Sequence, residues 1–170
     1  PVTTGTSVGL TFHNGHRHFI SCLPNTEALR FEALNLHALA GFTHLYRADI
    51  WFCRAMLFGG NERLFREARA RGVTVSIDLN WDPCWGVARA DEILERKRAV
   101  RSVLPWVHLV HGNVRELQEF TDTPDLITAL RMLAAWGVGA LTSSWPLTRM
   151  FPTRGSSRYF CRRPARKRRS

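Results

Sequence analysis

Asn113 and Glu116 lie three residues apart in VHLVHGNVRELQEFT, residues 107–121, where an apolar run gives way to a helical pattern. Asn is a favourable N-cap residue, and a Glu three positions later can accept a hydrogen bond from the backbone N–H of the cap. Taken alone, the pair therefore predicts a capping box. The neighbouring sequence has to show whether it also does chemistry.

A second polar pair follows the preceding apolar run. The segment VTVSI ends at Asp78 and Asn80, just as VHLV ends near Asn113 and Glu116. If both runs are parallel strands of one sheet, their carboxyl ends share an edge, which is where open α/β sheets bind ligands. We expect the two pairs to meet there, although helix capping and loop ordering remain an alternative explanation for each.

Two tryptophans lie in the loop that follows Asp78. Trp81 and Trp85 flank Asp82 and Pro83 in DLNWDPCWG, residues 78–86. An aromatic wall beside hydrogen-bonding groups suits an amphipathic ligand such as a sugar. Packing of the two indoles over the sheet is the competing interpretation, and it is slightly favoured.

Metal-binding patterns are weak. His13, His16 and His18 surround a predicted hairpin turn without an acidic partner, so surface positions are favoured over a metal site. The four cysteines have no zinc-finger or disulfide spacing and are expected to be buried thiols; they are Cys22, Cys53, Cys84 and Cys161.

Alternating periodicities predict an α/β fold. Two β-prone runs flank Asn14-Gly15 and predict an N-terminal hairpin. A helical stretch with local breaks follows to about residue 40, and then strands and helices alternate, which indicates a parallel sheet flanked by helices. The predicted strands are 49–52, 73–79, 107–110 and 137–141, and the predicted helices are 61–71, 90–104, 114–120 and 125–136.

The positive charge is concentrated at the end of the chain. Nine of the 24 Arg and Lys residues and no acidic residue lie from residue 141 onward, which leaves 15 basic against 14 acidic residues before it. We expect residues 142–170 to be a disordered basic tail, and we expect any contact with nucleic acid to be made only through this tail. No apolar run reaches the length of a membrane span, so we expect a cytoplasmic protein.

These segments, in this order, resemble the central portion of the ribokinase-like (PfkB) carbohydrate kinases. The hairpin TSVGLTFHNGHRHFIS resembles the lid that closes over the sugar, VSIDLNWDPCWG resembles the family's D-x-N strand end, and HGNVREL resembles its N-x-x-E motif. The resemblance implies a partial ribokinase-like domain over residues 1–141, with residues 1–24 as the lid.

The resemblance also implies roles for four residues. Asn113 and Glu116 would organise the magnesium and phosphate of Mg²⁺-ATP, with Glu116 acting on the metal largely through water. Asp78 and Asn80 would border the path of the sugar and the phosphate. The implied activity is ATP-dependent phosphoryl transfer to a sugar hydroxyl.

Three departures from the family pattern accompany this resemblance. Asp82 occupies a position where many members have Arg. The family's N-terminal sugar-binding segment would precede Pro1, and its catalytic G-A-G-D-type motif would follow Leu141, where there is one glycine, Gly155, and no Asp. We therefore expect a truncated, weak or inactive kinase whose open sheet favours self-association. The alternatives are a noncatalytic binding module with a nucleic-acid-contacting tail, and a product without function.

Overall fold

An antiparallel hairpin opens the chain. The structure is a computed structural model that describes residues 3–15, 17–144 and 161–162. Strands β1 (Thr6–Thr11) and β2 (Arg17–Cys22) pair in register, with Thr6 opposite Cys22. Gly15 occupies the turn with a φ of 83°, which a residue with a side chain rarely adopts. The predicted hairpin is confirmed.

A second sheet forms the body of the fold, in the order β3-β4-β5-β6-β7. The first four strands are parallel, and the two-residue β7 pairs antiparallel to β6. The predicted parallel α/β sheet is therefore confirmed. Its strands are β3 (His44–Arg47), β4 (Thr74–Asp78), β5 (Leu109–Asn113), β6 (Ala140–Ser144) and β7 (Cys161–Arg162).

Helices connect the parallel strands. A short helix and two 3₁₀ turns, Phe31–Ala33 and Leu36–Gly41, form the helical stretch with local breaks that was predicted before residue 40. The later helices begin and end within one residue of their predicted bounds. The helices are α1 (Pro24–Ala28), α2 (Asn61–Ala70), α3 (Ala90–Val103), α4 (Val114–Thr121) and α5 (Leu126–Ala135).

The strand predicted at residues 49–52 is wrong. The strand is His44–Arg47, and residues 49–52 form a turn in which Phe52 N–H donates to the Asp49 carbonyl at 3.3 Å. Asp49 adopts a left-handed φ of 50°, which interrupts an extended strand. The prediction was wrong because it took an apolar run as the sign of a strand. Trp51 in this run is buried in the core although it lies in a turn.

Strands β5 and β6 also differ from prediction. Strand β5 begins two residues later than predicted and continues through Asn113, and β6 extends past the predicted boundary at Leu141 to Ser144. The pair Cys161–Arg162 lies on the sheet. The remainder of the predicted disordered tail lies outside the described residues.

The two faces of the sheet differ in polarity. The face toward the helices carries buried Val75, Ile77, Val110 and Leu141. Hydrogen bonds between side chains of neighbouring strands cover the other face, joining His44 to Thr74 and Ser76, Tyr46 to Asp78, and His111 to Thr142. No helix among the described residues is long and apolar enough to span a bilayer.

Candidate active site

The ends of β4 and β5 bring the two predicted pairs to one edge. Asp78 lies opposite His111 in the parallel register, and Leu79 N–H donates to the His111 carbonyl at 2.8 Å. Asn80 follows β4, and Asn113 closes β5. Both pairs predicted from the sequence therefore lie at the carboxyl ends of neighbouring strands, where α/β sheets bind ligands.

Asn113 and Glu116 form a reciprocal capping box at the start of α4. Glu116 N–H donates to Asn113 Oδ1 at 2.9 Å, and Asn113 N–H donates to Glu116 Oε2 at 2.8 Å. The cap interpretation is thus confirmed. Because Glu116 is only 8% exposed, the box fixes a buried carboxylate at the edge of the sheet.

Gly112 allows this turn to close tightly. A Cβ at this position would lie 3.3 Å from Leu117 Cδ2, 3.4 Å from Leu79 Cβ and 3.5 Å from Glu116 Oε2. A side chain would therefore crowd Leu117 and would reach ordinary van der Waals contact with Leu79 and the Glu116 carboxylate. Glycine relieves the contact with Leu117 where β5 turns into α4.

The environment of Glu116 favours its neutral form. Burial raises the pKa of the Glu116 carboxyl above its usual value, and the negative charge of Asp78 acts in the same direction. The Asn113 N–H and the charge of His111 oppose these effects. A cation at this edge would relieve both the burial cost and the repulsion from Asp78.

The residues present fit a cation held mainly by water. No three His, Cys, Asp or Glu side chains converge on a metal position anywhere in residues 3–15, 17–144 and 161–162. Mg²⁺ commonly keeps several waters and uses only one or two carboxylates. Glu116 Oε2 takes part in the box, and Oε1 lies outside it.

Asp78 is hydrogen-bonded to a residue of β3, and Asn80 is hydrogen-bonded to a residue of the turn after β3. Tyr46 Oη donates to Asp78 Oδ2 at 3.2 Å, and burial together with the Asp78 charge raises the pKa of Tyr46. Asn80 has a left-handed φ of 52° and donates from Nδ2 to Asp49 Oδ1 at 2.9 Å. These contacts orient both side chains at the edge.

A buried ion pair, missed in the sequence, anchors the loop after Asn80. Asp82 is fully buried and receives two hydrogen bonds from Arg96, at 2.8 Å from Nε and 2.9 Å from Nη2. Arg96 Nη2 also donates to the Trp51 carbonyl at 2.7 Å. Asp82 is therefore a structural residue. Arg96 lies one turn before Val100 and two turns before Val103 on the buried stripe of α3. This spacing could have identified Arg96 as a buried residue.

The loop tryptophans pack mainly against each other and the core. Trp85 is buried, with its ring 5.1 Å from Trp51 and 4.8 Å from Trp81. Trp81 is half-buried, and the Arg115 guanidinium lies 4.8 Å from its ring centroid. The packing interpretation is confirmed for Trp85, and only Trp81 retains an exposed part that a ligand could contact.

Two other features of the described residues include none of the four predicted site residues. His13 and His18 are exposed, belong to no metal-binding group among the described residues, and His16 lies outside those residues. A cavity of about 510 Å³ contains none of the four predicted site residues. It is lined by Glu27, Arg30, Arg54, Ala55, Phe58 and Glu95.

Solved structures of sugar and nucleoside kinases share this fold. A fructokinase from Xylella fastidiosa has 16% sequence identity and a TM-score of 0.72, with 96% of this chain and 50% of that chain covered. An adenosine kinase from Sinorhizobium meliloti has 17% identity and a TM-score of 0.67, covering 95% and 47%. An Arabidopsis thaliana ribokinase complexed with ribose and ATP has 14% identity and a TM-score of 0.57, covering 83% and 42%.

The likeness is one of structure. No protein-family model matches the sequence, and no curated protein matches it. The chain spans about half the length of the solved kinases it resembles. Its hairpin and parallel sheet therefore have the ribokinase-like fold over that span.

Proposed function

We propose that this chain is part of an ATP-dependent sugar kinase and carries one edge of its active site. The observation that supports this most strongly is the buried Asn113–Glu116 box beside the end of β4. A simple cap needs no second polar pair on the neighbouring strand. The ribose and ATP in the ribokinase with this fold support the same class of substrates.

The four site residues would have separate roles. Asn113 and Glu116 would orient the water shell of Mg²⁺ and the phosphates, while Asp78 and Asn80 would border the path between sugar and phosphate. Mg²⁺, when bound, would neutralise charge on the transferred phosphoryl group. The box prepares Glu116 for this role because its Oε2 is already fixed by the Asn113 N–H.

The 170 residues alone are expected to lack turnover. Phosphoryl transfer to a sugar needs a base near the hydroxyl, and no Asp follows Asp125 in this sequence. The implied base and glycine-rich anion hole are therefore missing from the residues that follow Leu141. Weak binding of Mg²⁺ or sugar is compatible with the residues that remain.

A chimera tests the proposed function. The chain is joined to the two segments of a solved sugar kinase that lie outside the matched span, and sugar-dependent ATP turnover is measured. We expect turnover to return, and Glu116→Gln to lower kcat about tenfold to a thousandfold because one charge-stabilising contact is lost. Glu119→Gln, on the exposed side of the same helix, is the matched control.

Two results would contradict parts of this proposal. One is robust turnover by the unmodified 170-residue chain, which would support kinase activity but overturn the expected lack of turnover, because it would require a base that we have not assigned. The other is a chimera in which Glu116→Gln has the same kcat as the parent, because a capping residue alone would tolerate Gln.

The basic segment supports nucleic acid as a second partner. Its nine positive charges without an acidic residue would bind phosphates in a salt-dependent manner. Deletion of residues 145–170, which removes all nine positive charges and leaves β6 intact, should abolish RNA and DNA binding in a filter or anisotropy assay. Nucleic-acid binding that survives the deletion would place the contact elsewhere.

The hairpin supports self-association. Val8, Leu10 and Phe12 alternate along β1 and the residue after it, and Ile20 lies opposite Val8, so the four occupy one face. All four are exposed. An apolar face of this kind on a two-stranded ribbon favours contact with a second surface, and we propose a second copy of the chain.

A further inference from the structure

Arg47 is a half-buried cation without a carboxylate partner. It is the last residue of β3 and lies opposite Ile77, so it shares the face that the helices cover. Its guanidinium donates from Nε to Asn61 Oδ1 at 3.3 Å and from Nη1 to the Ala48 carbonyl. It forms no ion pair within the described part of the chain.

The surroundings of Arg47 compensate its charge only in part. Burial lowers the pKa of Arg47, and the nearby Cys53 and Asp49 act in the opposite direction. The Asp49 carboxylate accepts its hydrogen bond from Asn80 rather than from Arg47. Since partial burial of a charge without a carboxylate partner is unfavourable, the site favours a further acceptor.

Asn61 provides a second unmet donor beside Arg47. It is the first residue of α2 and only 1% exposed. Its Oδ1 accepts the Arg47 hydrogen bond, but its Nδ2 is buried without an acceptor. Buried amide groups are almost always hydrogen-bonded, so this donor is an independent sign of a missing acceptor.

We propose that Arg47 and Asn61 bind an oxyanion, the carboxylate or phosphate group of a small ligand, at the carboxyl end of β3. A guanidinium Nη2 and an amide Nδ2 both donate, and an oxyanion accepts from both while supplying the missing negative charge. A water would satisfy the amide but would leave the guanidinium uncompensated. The site is two strands away from the Asn113–Glu116 box and does not depend on the proposed kinase function.

Phosphate titration of the full chain tests this site. The Asn61 side-chain NH₂ resonances are followed by NMR as sodium phosphate replaces sodium chloride at constant ionic strength, and Tm is measured in parallel. We expect a saturable shift of these resonances and a rise in Tm. Acetate, titrated separately, shows whether a carboxylate binds more tightly than phosphate.

Two variants and a control separate binding from general salt effects. Arg47→Met should weaken phosphate binding about tenfold or more because a charge-assisted contact is lost. Asn61→Asp should abolish the response of Tm and raise Tm in phosphate-free buffer, because the new carboxylate pairs with Arg47. Arg66→Met, which removes an exposed guanidinium on α2, should respond as the parent does.

The inference is overturned if the Asn61 resonances respond to neither phosphate nor acetate, which would leave a buried water as the acceptor. Equal phosphate affinity in the parent and Arg47→Met would also overturn it. If Arg47→Met does not fold, Asn61→Asp provides the test. A Tm of Asn61→Asp below that of the parent in phosphate-free buffer would contradict the claim that Arg47 lacks a negative partner.

Discussion

Glu116 and Asn113 each accept a hydrogen bond from the other's backbone N–H, and this exchange fixes a buried carboxylate where β5 becomes α4. The exchange makes one residue pair serve both the helix and the edge of the sheet. The capping role and the proposed ligand-binding role can be separated, because capping depends on the hydrogen bonds while the proposed binding depends on the charge of Glu116.

The capping role predicts a graded loss of stability. Asn113→Ala removes the acceptor of the Glu116 N–H and should lower the free energy of unfolding by about 1 kcal/mol, within the range of other N-caps. Asn113→Asp retains a side-chain acceptor and should lose less. Urea unfolding of the parent and both variants measures the difference, and equal stability of the Ala variant and the parent would contradict the observed box.

The raised pKa of Glu116 predicts how stability depends on pH. A carboxyl with a raised pKa in the folded state is favoured in its protonated form, so its contribution is fully present below the unfolded pKa of about 4.5. It is lost as pH rises through the folded pKa. We expect the stability of the parent relative to Glu116→Gln to fall over this interval.

Urea unfolding of both proteins at several pH values from about 4 to 7 checks this prediction. The control is Glu119→Gln on the exposed side of α4. If the stability of the parent relative to Glu116→Gln rises with pH, the pKa of Glu116 is not raised in the folded state and the prediction is wrong.

The Asp82–Arg96 pair predicts a large and specific loss on truncation. Asp82→Ala leaves Arg96 buried without its partner and should cost about 3–5 kcal/mol. Replacing both residues, as Asp82→Leu with Arg96→Met, should cost less than the single change because no buried charge remains. Thermal or urea unfolding compares the two.

Asp91→Ala provides the matched comparison for an exposed ion pair. Asp91 pairs with Arg89 at 3.0 Å on the surface, so its loss should cost at most about 1 kcal/mol. If Asp82→Ala costs no more than Asp91→Ala, the buried pair does not anchor the loop.

The hairpin face predicts concentration-dependent association. Ile20→Lys places a charge on the exposed apolar face and should shift the sedimentation profile toward monomer at a fixed concentration. Ser21→Lys adds the same charge to the opposite face of β2 and is the control. If Ile20→Lys associates as the parent does, the apolar face of the hairpin does not mediate the association.

Periodicity predicted the regular elements because their burial pattern is local. Helix α4 and its cap could be located from Asn113, Glu116 and the apolar spacing that follows. The turn at residues 49–52 could not, because its burial depends on Trp51 packing against Trp85 and Phe120, which come from distant parts of the chain. An apolar run alone does not distinguish a buried turn from a strand.

The polar contacts of the site were only partly predictable. The sequence places Asp78 and Asn113 at strand ends, and parallel pairing then brings β4 beside β5. The spacing of Arg96 with Val100 and Val103 indicates that Arg96 is buried, but its pairing with Asp82 could not be predicted, because Asp82 lies in a loop 14 residues earlier. Long-range pairing, rather than local spacing, decides which of these side chains face each other.

Binding of Mn²⁺ to the full chain tests the central claim most directly. Mn²⁺ replaces Mg²⁺ as a paramagnetic probe, and its broadening of backbone amide resonances reports which residues lie near it. We predict the strongest broadening at residues 78–80 and 113–116, abolished in Glu116→Gln and retained in Glu119→Gln. Broadening centred on another part of the chain, or unchanged in Glu116→Gln, would contradict a metal-organising role for this edge of the sheet.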